Sequence, residues 1–120
     1  MMGEADLYRN FRFRLMWQGR CVAGFSLIDA SARPELMTLE RGVTYDREFE
    51  RWIGDSQRLG VAFGVRDFHL DVFNDAGERL TSYRVHSCRV ANYLAMPYMD
   101  SDKIAVRTLR LACEGWEQEA

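Results

Sequence analysis

The sequence predicts a mainly β domain, a small antiparallel barrel or sandwich with one helix covering an opening or edge. Three observations carry this. Apolar residues recur at every second position through most of the chain, one segment alone shows the 3.6-residue period of a helix, and short turn signals punctuate the alternating runs. With 120 residues, 48% apolar content and a net charge of 16 − 18 = −2, the chain suffices for one packed core, so residues 1–120 read as a single domain.

From Phe11 to Trp17 the odd positions Phe11, Phe13, Leu15 and Trp17 are apolar, while Arg12 and Arg14 point the other way, as on a half-buried strand. Gln18 and Gly19 make a turn. Cys21 to Ile28 returns as the second strand of a hairpin, with Gly24 marking a bulge or a close approach of another backbone. A short strand over Leu36 to Glu40 is closed by Arg41 and Gly42. The helix then starts with Thr44 as its N-cap and carries Asp46 and Glu48 in its first turn, where carboxylates complement the helix dipole. Tyr45, Phe49, Trp52 and Ile53 form its buried stripe, and Gly54 is its stop. Gly60 to Gly64 reads as a loop. Asp67 to Phe73 alternates again, with Phe68, Leu70 and Val72 inward and Asp67, His69 and Asp71 outward. Asn74 to Gly77 is a hairpin turn, and strands over Arg79 to about Tyr93 and Ile104 to Cys113 complete the order.

No motif of catalysis stands out. There is no GxSxG, HExxH or GxxxxGK[ST] pattern, so no catalytic residue, metal site or cofactor is expected. Asp67, His69 and Asp71 share one strand face and offer oxygen and nitrogen donors, but a solvated polar face accounts for them as an alternating strand requires. His86 and Cys88 share a face in the same manner, without a third group to orient them. Cys21, Cys88 and Cys113 are odd in number, far apart and without a CxxC pair, and read as small buried hydrophobes. The segment from Tyr93 to Met99, with Met96 and Tyr98, reads as core filling, and in a second reading as the adhesive patch of a monomeric ligand- or peptide-binding barrel. Of 16 basic residues only Lys103 is a lysine. The arginine excess suits subunit interfaces, because guanidinium forks onto carboxylates and is weakly hydrated. No apolar run approaches a membrane span, and no signal peptide is evident, so a cytosolic site of assembly without a membrane is expected.

Three stretches together resemble the tail tube protein family of contractile phage tails and related injection systems. FRFRLMWQGRCVAGFS looks like that family's opening hairpin, with Gly24 inside the Val22 to Ser26 pattern. LERGVTYDREFERWI is similar to its strand end and helix, through Leu39, Arg41, Gly42, Val43, Thr44, Trp52 and Ile53. IAVRTLRLACEGWE looks like its closing strand, through Ile104, Val106, Leu109, Leu111, Glu114 and Gly115. The resemblance implies a non-enzymatic subunit that joins copies of itself into hexameric rings, whose sheets form an inner barrel and which stack into a tube. It implies neighbouring tube, baseplate or sheath proteins as partners, DNA or effector cargo as passenger of the lumen, and a final place in a virion or injection particle. Arg12, Arg14, Asp67, His69 and Asp71 are then candidates for the subunit seam or the lumen. The stretch between Ser26 and Leu36 is shorter than the stacking loop of the family, and Val90, Asn92 and Cys113 depart from its pattern. An initiator, adaptor or terminal ring is therefore implied beside a main tube subunit.

Overall fold

The computed structural model describes residues 7–29, 36–59, 64–96 and 104–119. Among the described residues, seven strands and one long helix follow one another as β1 (Phe13–Trp17), β2 (Arg20–Asp29), β3 (Leu36–Thr44), α1 (Arg47–Leu59), β4 (Arg66–Phe73), β5 (Arg79–Met96), β6 (Ile104–Ala112) and β7 (Gly115–Glu119). All pairings are antiparallel, in the order β4-β1-β2-β3-β6-β5, and β4 also pairs with β5, so six strands close into a barrel. Closure is possible because β5 is long. Its first half, Arg79 to Cys88, pairs with β4, and its second half, Arg89 to Met96, pairs with β6. The seventh strand extends β6 along the same flank of β5, from His86↔Gly115 to Ser82↔Glu119.

The alternation anticipated from sequence fills the barrel. Leu15, Phe25, Leu39, Phe68, Leu70, Val85, Leu109 and Leu111 are fully buried in one core. Helix α1 adds Phe49, Trp52 and Ile53 to it, with Phe49 edge-on to Phe68 and the Trp52 indole N–H donating to the Gly64 carbonyl at 3.0 Å. Three large apolar side chains at roughly 1.5–3 kcal/mol each seat the helix on the barrel. Cys21, Cys88 and Cys113 are all buried.

Several local readings are corrected. The helix cap is Asp46, whose Oδ1 accepts from the Phe49 N–H at 2.9 Å. Thr44 ends β3 instead, its hydroxyl donating to the Val22 carbonyl at 2.6 Å and accepting from the Asp46 N–H. Gly54 lies within the helix, which runs on to Leu59. Tyr45 precedes the helix, edge-on to Tyr8. The third strand is not closed at Arg41 and Gly42 but continues to Thr44, with Arg41 held at φ +55°. Gly42 sits where any Cβ would collide with the Gly24 carbonyl and the Phe25 ring, so the close backbone approach is centred there; a Cβ at Gly24 would meet the Phe11 ring at 2.9 Å. The strand β7 was not anticipated. Nor do His86 and Cys88 share a face: Ser87, at φ +52°, reverses the alternation, leaving His86 outside against Glu117 and Cys88 in the core.

One deformation runs across three strands at a single level. Ser26 with Leu27, Glu40 with Arg41, and Arg107 with Thr108 are each two consecutive outward residues where alternation demands one. They stand side by side, since Leu27 pairs with Glu40 and Glu40 with Thr108. On β5 the register also steps between Leu94 and Ala95, so Arg107 has no counterpart there and forms a bulge. The sheet β2-β3-β6-β5 therefore turns a corner at this line.

Candidate assembly interface

The corner sets off a four-stranded panel made of the outer parts of β2, β3, β6 and β5. Its inner face is core. Its outer face carries the rows Leu27, Glu40, Thr108, Leu94 and Asp29, Thr38, Arg110, Asn92, and then Arg89. Leu27 and Leu94 are 45% and 49% exposed, two of the large apolar side chains left in solvent.

On both sides of this panel the ladder ends without a further strand among the described residues. Strand β1 leaves β2 at Phe25, so Ser26 to Ile28 has no strand beyond it among the described residues. Strand β4 leaves β5 at Cys88, so Arg89 to Met96 has no strand on that side among the described residues; helix α1 packs against β5, with Gln57 donating to the Tyr93 carbonyl at 3.4 Å and Glu50 close enough to act on the Tyr93 phenol. Open edges are templates for pairing with another chain unless they are blunted by charge or brevity. The outer edge of β7 is blunted in this way: it is short and carries Glu117 and Glu119, tied to His86 and His69 at 3.2 and 2.8 Å. The panel edges SLID and RVANYLAM carry few charges by comparison.

The sequence-derived candidates occupy a different region. Arg12 lies just before β1 and pairs with Asp75 of the β4–β5 turn; together with Ser26 they line a polar recess beside the open β2 edge. Asn74 shapes that turn by accepting from the N–H groups of Ala76 and Glu78 at 2.9 Å each, with Gly77 at φ +82°. Arg14 stacks its guanidinium 3.8 Å from the centre of the Phe73 ring. Asp67 and His69 are exposed on β4 as anticipated, with Asp67 accepting from the Ser87 N–H. Asp71 is not: it is buried, accepts from the Ser82 hydroxyl at 2.7 Å and has Arg79 at 3.9 Å. His69 and Asp71 still share the outer face of β4 and line one recess with Arg79, Ser82 and Glu119; Asp71 differs in being covered there. No cluster of three or more His, Cys, Asp or Glu side chains capable of holding a metal occurs among the described residues. Gly115 opens β7 opposite His86.

The N-terminal end of helix α1 is tied to the start of β2 by Asp46. Burial alone would raise its carboxyl, but the hydrogen bond from Arg20 at 2.7 Å and the N–H of Phe49 outweigh this and hold it below the usual carboxylate range. The same pair raises Arg20. Tyr8 donates to the Val22 carbonyl and accepts from the Tyr45 N–H, its phenol pushed up chiefly by burial.

A cavity of about 300 Å³ at one mouth of the barrel is lined by Phe13, Ile28, Leu70, Val72, Tyr83 and Trp116. The Thr81 hydroxyl on its rim is engaged by Gln118 at 2.8 Å. A small-molecule site needs convergent polar groups, and this cavity offers little beyond the apolar wall. Of the segment from Tyr93 to Met99, Tyr93 packs against the core, while residues 97–99 lie outside the described residues. No helix among the described residues is long and apolar enough to cross a membrane.

A closed barrel capped by one helix, with a bent panel open at both edges, fits a structural protein of a phage tail. The chain belongs to the T4-like virus tail tube protein gp19 family, whose model matches residues 28–117. The match covers the strand-and-helix and closing-strand motifs and begins only at the end of β2, so the opening hairpin is not part of it. No curated protein and no solved structure matches the chain. Membership of this structural family is the ground for reading the chain as non-enzymatic.

Proposed function

We propose that the chain forms hexameric rings of the inner tube of a contractile phage tail or injection system, as a main tube subunit or as an initiator, adaptor or terminal ring. The observation that carries this is the pair of open edges on opposite sides of one panel. Pairing the β2 edge of one copy with the β5 edge of the next is a heterologous contact, and such contacts close into rings when the rotation permits. Panels joined in this way make a continuous inner barrel. In this arrangement Thr38, Glu40, Arg89, Arg107, Thr108 and Arg110 face the bore, through which DNA or an effector passes. Arg12 sits at the seam beside the β2 edge. Arg14, Asp67, His69 and Asp71 lie away from the bore, toward neighbouring tube, sheath or baseplate proteins. Assembly takes place in the cytoplasm and ends in a virion or particle.

Electron microscopy with light scattering tests the reading. Rings or tubes are expected from the purified chain or from its co-expression with sheath and baseplate proteins. The double variant Leu27→Lys, Leu94→Lys changes only exposed side chains, so it is expected to remain a folded monomer and lose assembly. A wild-type chain that stays a monodisperse monomer at high concentration, alone and beside those proteins, overturns the proposal.

A further inference from the structure

Cys88 and Cys113 face each other where β6 gives way to β7. Their sulfur atoms stand 3.6 Å apart, the Cys88 thiol donating to the Cys113 sulfur. In sequence they fall between the register pairs Arg89↔Ala112 and His86↔Gly115, so they oppose one another across the two strands. Directly opposed residues of an antiparallel pair have Cα atoms about 4.5–5.5 Å apart, within the range of roughly 4.4–6.8 Å that a disulfide spans. Closing the bond requires the sulfurs to approach to about 2.05 Å. The joint supplies the irregular backbone for this: Ser87 is left-handed at φ +52°, and the ladder is bridged there by the Glu114 N–H bond to the His86 carbonyl at 2.9 Å. The third cysteine, Cys21, lies on β2 and bonds the Ala23 carbonyl.

We propose that Cys88 and Cys113 are a dithiol site that a small-molecule disulfide oxidises to a cross-strand disulfide, fixing the root of β7 to β5. The two thiols are unequal in the way the exchange requires. Cys113 is 7% exposed and Cys88 fully buried, so the reagent reaches Cys113 first. The hydrogen bond from Cys88 favours the Cys113 thiolate and lowers its pKa, while that bond together with burial raises Cys88. The Cys113 thiolate attacks one sulfur of RS–SR, the S–S bond breaks and one RS⁻ leaves, giving a mixed disulfide. Cys88 then gives up its proton, attacks the Cys113 sulfur and expels the second RS⁻. Two protein thiols are oxidised and one disulfide is reduced to two RSH. The site is independent of ring formation.

The test uses the whole chain incubated with glutathione disulfide or with dithiothreitol, then denatured and alkylated with iodoacetamide. Reduced protein is expected to take up three labels. Oxidised protein is expected to take up one, on Cys21, and trypsin should yield peptide 85–89 linked to peptide 111–120. The oxidised form should melt about 5 °C or more above the reduced form. Cys88→Ser should stop at a Cys113–glutathione adduct. Three labels after oxidation, or a link through Cys21, overturns the proposal on the wild-type protein alone, whether or not the variant folds.

Discussion

Replacing Asp46 tests how the start of helix α1 is held against β2. Asp46→Ala removes a cap that accepts from Phe49 N–H at 2.9 Å, a contact worth about 1 kcal/mol. It also removes the Arg20 pair, whose Asp46 side chain is 14% exposed and whose Arg20 side chain is 31% exposed. Partial exposure keeps that pair to roughly 1 kcal/mol. The total is about 2 kcal/mol. A chain of 120 residues has an unfolding entropy of about 0.25 kcal/mol/K near 60 °C, so Asp46→Ala should lower Tm by about 8 °C. Asp46→Asn keeps a capping oxygen and loses the charge, so its drop should be about 4 °C. Because the folded carboxyl titrates below its unfolded value of about 3.9, the charge contributes fully above that pH and is lost as pH falls through the folded pKa. The gap between wild type and Asp46→Asn should therefore begin to narrow as pH falls below about 3.9. Scanning calorimetry at one fixed protein concentration measures this, since self-association would otherwise shift Tm. A drop of under 2 °C for Asp46→Ala, or a gap unchanged from pH 7 to pH 3, refutes the reasoning.

Gly42→Ala places a Cβ against the Gly24 carbonyl and the Phe25 ring, and should cost about 1–3 kcal/mol or prevent folding, read by urea denaturation. Trp52→Ala should cost about 3–5 kcal/mol, since it empties a buried site packed on Phe49 and Phe68 and strips the Gly64 carbonyl of its donor. Ser82→Ala removes the hydroxyl donor of buried Asp71 and should cost about 1–3 kcal/mol by the same assay, whereas Glu117→Gln on the exposed His86 pair should change stability by less than about 1 kcal/mol.

The barrel strands were legible because a half-buried strand must alternate, and Phe13, Leu15, Phe68 and Leu70 do so without interruption. Where alternation slipped, the sequence carried no mark. Arg41 and Ser87 adopt positive φ without being glycine, and each reverses the face of the residues after it, which is how His86 and Cys88 came to be placed together. Thr44 and Asp46 are both competent caps two residues apart, and only the ladder with β6, which extends to Thr44↔Ile104, decides between them. The GWEQE strand is too short and too charged to register as periodic. The open edges belong to no residue type at all: they arise because β1 and β4 stop early relative to the strands beside them. The outward face of His69 and Asp71 was legible, but the covering of Asp71 on that face depends on Ser82 and Arg79, which lie on another strand.

The shared corner of β2, β3 and β6 also governs how the sheet can vary. A fold line concentrates curvature the way a crease does in card, leaving the panels on either side comparatively flat. The inclination of one panel to the other is then a property of a few residues, Ser26, Arg41 and Arg107 among them, and not of the panels themselves. A one-residue insertion in any single strand at that line would put its crease out of step with its neighbours. Matched changes in all three strands would re-aim the panel intact, so the angle at which copies could meet is adjustable without rebuilding the core.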